Sequence, residues 1–212
     1  MKKTALAVVT SMVIAGTLKA QVQLSAYGSY LKGTSDNKAG LWGGGLNGKI
    51  FLGNSVALGV GLTSYPKKKS EIRGGSGAGA WTYYSADVVS NLAAGLDILL
   101  KPRTDMVQPY LGVDAGLSYN RQNVSYVSTN TQIVENKNNK TYFLLSPKAG
   151  LNIGLGQSFG IFGQVRYNFT FGEGDPQNIT VGNIPNPITT EPVSKYFSFD
   201  AGLYIRLTGA GG

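Results

Sequence analysis

The sequence predicts an all-β fold, an eight-stranded antiparallel up-and-down barrel, and three observations carry that reading. Within Val107–Tyr119, residues Pro109, Leu111, Val113, Ala115, Leu117 and Tyr119 fall on one face of an extended chain, and Gln108, Tyr110, Gly112, Asp114, Gly116 and Ser118 on the other. Successive side chains of a strand point to opposite sides, so this segment has one apolar face and one small or polar face. The same period recurs in eight segments of about ten residues, the length a tilted strand needs to cross a bilayer core. Finally, the connections between these segments alternate strictly between short and long.

Taken in order, Val22–Lys32 opens the set and Gly33–Gly40 is the first long connection. Leu41–Leu52 follows with Leu46, Ile50 and Leu52 on its apolar face, and Gly53-Asn54-Ser55 turns the chain tightly into Val56–Tyr65, where Val56, Leu58, Val60 and Leu62 alternate. Pro66–Tyr83 is a long connection. Tyr84–Leu100 carries Leu92, Leu96, Ile98 and Leu100 on one face, and Lys101–Met106, with Pro102, leads into Val107–Asn120. Beyond the long Arg121–Lys140, the strand Thr141–Leu155 presents Leu145, Ala149, Leu151 and Ile153. Gly156-Gln157-Ser158 then turns into Phe159–Phe171, with Phe159, Ile161 and Val165. The long Gly172–Lys195 precedes the last strand, Tyr196–Leu207, with Leu203, Ile205 and Leu207. The long connections are rich in Gly, Ser, Asn, Thr, Pro and charge, so all short turns gather at one end of the barrel and all long loops at the other.

The domain division that follows is a leader over residues 1–20, a barrel over 21–207 and a short tail over 208–212. Lys2 and Lys3 begin the leader, Thr4–Leu18 is an apolar run, and Ala20 offers a small residue before Gln21, the three parts of a secretory signal peptide. Loss of Lys2, Lys3 and Lys19 lowers the formal net charge from +8 to +5. That mild, scattered positive charge gives no basis for nucleic-acid binding. There is no cysteine, so backbone hydrogen bonding and packing must stabilise the fold without disulfides. No run after residue 20 is long and apolar enough for a spanning helix.

The pattern Gln108-Pro109-Tyr110-Leu111-Gly112-Val113-Asp114-Ala115-Gly116-Leu117 and the last strand Asp200-Ala201-Gly202-Leu203-Tyr204-Ile205-Arg206-Leu207 resemble the small eight-stranded outer-membrane barrels of the OmpA/OmpX type, the outer membrane protein β-barrel domain family of Gram-negative bacteria. The last segment is similar to the C-terminal insertion signal of that class, although Leu207 stands where an aromatic residue is usual. The resemblance covers Gln21–Leu207. It implies a transmembrane β-barrel with short periplasmic turns and long extracellular loops, in the cell outer membrane, in contact with outer-membrane lipid and lipopolysaccharide.

Assigned by parity, the lipid-facing set contains no charge, which fits the cost of about 2–4 kcal/mol for Lys or Arg at the bilayer midplane. Aromatics near the strand ends, Tyr30, Trp42, Tyr65, Trp81, Tyr83, Tyr84, Tyr119, Tyr142, Phe143, Tyr167, Phe169, Phe171, Tyr196, Phe197 and Phe199, are read as an interfacial girdle. The opposite parity collects Lys49, Asp97, Asp114, Lys148, Arg166, Asp200 and Arg206. An eight-stranded barrel is just wide enough for side chains to fill it, so these charges are expected to pair into a plug. Inward glycines are expected to make room for the Lys and Arg stems.

Histidine and cysteine are absent, which removes the usual neutral-pH base, the thiol nucleophile and the commonest transition-metal ligands. Neither an enzyme nor a cofactor is expected. Gly74–Gly79 lacks the Lys-Ser/Thr of a phosphate loop. Lys67, Lys68 and Lys69 are the candidate surface contact for acidic lipopolysaccharide groups, or else a solvated charge run. The expected function is a structural or surface-binding role carried by the extracellular loops. The alternatives are an accessory subunit of a larger outer-membrane transport or assembly complex, and a narrow channel of porin type.

Overall fold

The computed structural model describes residues 21–34, 40–74, 81–128, 134–172, 177–179, 188–190 and 195–207; the side chains of 67–87, 122–138, 177–179 and 188–190 lie outside that description. The leader over residues 1–20 and the tail over 208–212 lie outside it as well. The described strands are β1 (Val22–Gly33), β2 (Leu41–Leu52), β3 (Val56–Gly74), β4 (Trp81–Leu99), β5 (Val107–Ser128), β6 (Val134–Gly154), β7 (Phe159–Phe171), β8 (Gln177–Ile179), β9 (Ile188–Thr190) and β10 (Lys195–Leu207). Eight of them close into one barrel in the order β1-β10-β7-β6-β5-β4-β3-β2. Every neighbour is antiparallel, and the seam between first and last strands runs from Val22↔Leu207 to Gly33↔Tyr196. Closure pairs the backbone all the way round, so the wall has no exposed edge.

Two of the expected long loops are corrected to strand. Pairing of β3 with β4 continues to Gly74↔Trp81 after an irregularity between Tyr65 and Lys68. β4 stays with β5 to Trp81↔Ser128, and β5 with β6 to Tyr126↔Val134. On the flanks, β2 leaves β3 at Gly44↔Ser64 and β7 leaves β6 at Phe143↔Phe171. Most of Pro66–Tyr83 and Arg121–Lys140 therefore belongs to a four-stranded extension that rises past the closed wall. Periodicity missed it for a physical reason: past the wall no bilayer demands an apolar face, and what identifies these strands is their backbone pairing. Within Gly172–Lys195, β8 and β9 form a small separate hairpin, Gln177↔Thr190 to Ile179↔Ile188.

The wall keeps the expected parity. Leu46, Val60, Leu62, Leu92, Leu117, Leu203 and Ile205 are exposed on the outside. Among the described outward positions of the closed wall, charges stand only beyond the apolar band at the loop end, at Lys32, Arg121 and Lys195. Trp42 packs on Tyr30 (4.8 Å between ring centroids), Tyr167 contacts Phe169 and Phe197 (both 4.6 Å), and Phe143 faces Phe171 (6.1 Å). These rings form an outer belt across β2, β1, β10, β7 and β6. Tyr65, Tyr142 and Tyr196 are not in it: all three are buried inside the barrel. The side chains of Trp81, Tyr83 and Tyr84 fall outside the described residues.

Inside, glycine and tyrosine alternate as seat and ring. A Cβ added at Gly43 would strike the Tyr65 ring, at Gly45 Tyr27, at Gly150 Tyr110 and at Gly160 Tyr204. The expected seating of cationic stems holds at Gly112, where a Cβ would come within 2.8 Å of Lys148 Cε, and at Gly59, 3.2 Å from Lys49 Cγ. Gly43, Gly45, Gly150 and Gly160 serve tyrosine rings instead, and Gly61 and Gly95 lie against Asn47 and Asp114. Gly53 turns β2 into β3 with φ +75°, a left-handed conformation that glycine adopts without a Cβ penalty.

Candidate functional site

The lumen carries the residues that sequence parity placed there, and it divides into layers. In the middle, Lys49 of β2 reaches Asp97 of β4 at 2.7 Å, Lys148 of β6 reaches the same carboxylate at 2.8 Å, and Lys148 also meets Asp114 of β5 at 2.5 Å. Cation and anion alternate along this chain and tie four strands together. The Lys49 ammonium also lies 4.5 Å from the centre of the Tyr110 ring, a cation–π contact.

Next to it stands a second ionic unit. Arg166 Nε of β7 and the Asp200 Oδ2 of β10 are 2.8 Å apart, and Arg166 Nη2 donates to Asp200 Oδ1 at 3.1 Å. Asp200 further accepts from Gln164 Nε2 at 2.8 Å and from the Ser29 hydroxyl. Arg166 Nη2 donates to Thr63 Oγ1 at 3.2 Å, and that hydroxyl also shares a 2.6 Å bond with Tyr27. Tyr110 donates to Gln164 Oε1 at 2.7 Å, so the two ionic units belong to one network. Ion pairing together with hydrogen bonds to neighbouring polar groups is what makes buried charge tolerable.

Arg206 departs from the expected mutual pairing. It sits at the turn end and donates to Gln23 Oε1 (3.2 Å), Gln108 Oε1 (2.5 Å) and the carbonyl of Arg103 (3.3 Å). It has no carboxylate partner among the described residues. Lys67, Lys68 and Lys69 are placed by backbone on β3, where Lys68 pairs with Asp87 and Lys69 with Ala86; their side chains lie outside the described residues.

Apolar layers close the polar interior at both ends. Leu31, Tyr65, Val89 and Tyr196 cluster toward the loop end with Leu41 packed on them. Phe51, Ala57, Leu99 and Tyr110 cluster toward the turn end. Between them, a cavity bordered by Asn47, Asn91, Asp114 and Arg166 measures about 10 Å³, room for about one water. The arrangement holds the described lumen charges Lys49, Asp97, Asp114, Lys148, Arg166 and Asp200 in ion pairs. No group of three or more acidic, His or Cys side chains that could hold a metal occurs among the described residues. Sequence parity found the ionic residues but missed Ser29, Thr63 and Tyr27 around them, with Tyr65 bonded in turn to Ser29. Gln23, Ser25, Tyr27 and Ser29 share an inward parity in β1, which was the available signal.

No protein-family model matches this sequence, and no curated protein does. Solved structures do. A major outer membrane protein of Thermus thermophilus is 14% identical with a TM-score of 0.54, over 89% of this chain and 99% of that one. Neisserial surface protein A is 16% identical over 90% and 97%, with a TM-score of 0.46. Ail, the attachment invasion locus protein of Yersinia pestis, is 12% identical over 89% and 97%, with a TM-score of 0.49. This chain has the fold of an eight-stranded, all-antiparallel outer-membrane β-barrel.

Proposed function

We propose that the protein is a non-enzymatic integral barrel of a Gram-negative outer membrane, exported by its leader, whose wall anchors a surface-exposed binding platform. One observation carries the reading: a wall whose apolar band is free of charge among the described residues surrounds an ion-paired lumen, while β3–β6 continue well past the aromatic belt. A wall of this kind is soluble only in lipid. Among the described residues the lumen charges are taken up in ion pairs, which leaves the extension as the surface this reading assigns to binding.

Lys67, Lys68 and Lys69 lie on the β3 edge of that platform, and acidic groups of lipopolysaccharide are the partner their charge suits. The triple substitution K67Q/K68Q/K69Q is expected to weaken retention on lipopolysaccharide vesicles and to flatten its salt dependence, while folding into the barrel is kept. Equal retention at every salt concentration would count against this role.

A second reading, an accessory subunit, has one supporting observation. The register aligns Ser64, Gly44, Gly28, Ala201 and Gly163 in a row of small residues across five strands of the outer wall. Crosslinking from position 28 in native membranes should capture a partner under that reading and lipid alone under the first.

A further inference from the structure

The turn end of the barrel holds two cations with no counter-ion among the described residues. Arg103 lies in the turn from β4 to β5 and Arg206 near the end of β10, and their guanidinium carbons stand 5.6 and 5.7 Å from the centre of the same ring, Phe51. Arg206 also lies 4.8 Å from the centre of the Tyr204 ring. A guanidinium has five N–H donors. Arg206 directs three of its donor groups to neutral oxygens of Gln23, Gln108 and Arg103. The Arg103 guanidinium makes no hydrogen bond or ion pair to any described residue. Its turn is nevertheless held in place: Arg103 N donates to the Asn54 carbonyl at 3.2 Å, and the Arg103 carbonyl accepts from Gln108 at 2.7 Å. Burial lowers the Arg103 pKa from its ordinary value, the direction expected of a cation that has lost water without gaining an anion.

We propose that Arg103 and Arg206 form an anion site at the turn-end mouth of the barrel, and that its ligand is a phosphate group. Two planar guanidiniums gathered on one apolar ring, with donors still free, suit an oxyanion that can accept from both. A phospholipid headgroup or free phosphate can supply that group. The headgroup source rests on the membrane placement proposed above, and the free-phosphate source does not.

The test uses full-length folded protein in maltoside micelles free of phosphate. Inorganic phosphate is titrated in one arm, followed by ³¹P line broadening; phosphatidylglycerol is added to the micelles in the other, followed by the thermal unfolding midpoint. Arg103→Gln is the primary variant, because the bonds that hold its turn come from the backbone, and Arg206→Gln is the second. Lys32→Gln removes the same charge at the opposite end. The expected result is binding by the wild type and by K32Q, and binding about tenfold or more weaker in R103Q and R206Q. A response to both probes supports a general phosphate site; a response to lipid alone assigns a headgroup, and to inorganic phosphate alone a soluble ligand. Failure of both probes to give a response, or an equal response in R103Q, overturns the proposal.

Discussion

Asp97 accepts two lysines at once, at 2.7 and 2.8 Å, and its removal would leave Lys49 and Lys148 competing for Asp114 in a buried space. Loss of one partner from a buried ionic group costs about 3–5 kcal/mol, so Asp97→Ala should lower the unfolding free energy in urea by that amount. A loss below about 1 kcal/mol, the scale of an exposed pair, would show that water reaches this layer. The tyrosine seats make a different prediction. A Cβ at Gly160 would strike the Tyr204 ring and the Ile153 carbonyl, so Gly160→Leu should cost about 1–3 kcal/mol from overpacking. By contrast, Gly163 has only the Asp200 carbonyl near, at 3.9 Å, and Gly163→Ala should leave stability unchanged in the same assay. Much of this layer was readable from parity: Lys49, Asp97, Asp114, Lys148, Arg166 and Asp200 all point inward as expected. Tyr65 was misplaced in the girdle because aromatic identity was weighed above position. It shares its parity with Ala57, Gly59, Gly61 and Thr63, which is the inward one, and residue type alone does not separate a ring at the interface from a ring in the lumen.

The strands within the closed wall were legible because bilayer and lumen place opposite demands on alternate residues. Leu41–Leu52 and Phe159–Phe171 were bounded correctly from that pattern alone. The extension was not legible, since Lys, Ser and Asn along β3 and β6 resemble loop composition and carry no apolar alternation. What distinguishes strand from loop is backbone pairing, and amide hydrogen exchange reads it directly. Residues 82–86 of β4 and 123–126 of β5 have strand neighbours on both sides, so their amides should exchange slowly. The edge strands β3 and β6 should show protection at about every second amide, because alternate N–H groups of an edge point away from the sheet. Exchange at unprotected rates across all four segments would restore the loops.

The molecule as a whole combines an apolar exterior, an ion-paired interior and a one-sided extension. Under the proposed function these divide the work: the wall holds the protein in lipid, the lumen is a structural plug, and the extension meets other molecules. Apolar layers at Leu31, Tyr65, Val89 and Tyr196 and at Phe51, Ala57, Leu99 and Tyr110 flank the charges at either end. The absence of cysteine from the sequence makes its placement in the membrane directly measurable. Single cysteines at Ser85 in the extension, Leu62 on the wall and Asn54 in a turn would be challenged in intact and permeabilised cells with a maleimide that does not cross membranes. Position 85 is expected to react in intact cells, position 54 only after permeabilisation, and position 62 in neither. Labelling of position 62 in intact cells, or of position 54 before position 85, would contradict a lipid-embedded barrel that presents its extension at the cell surface.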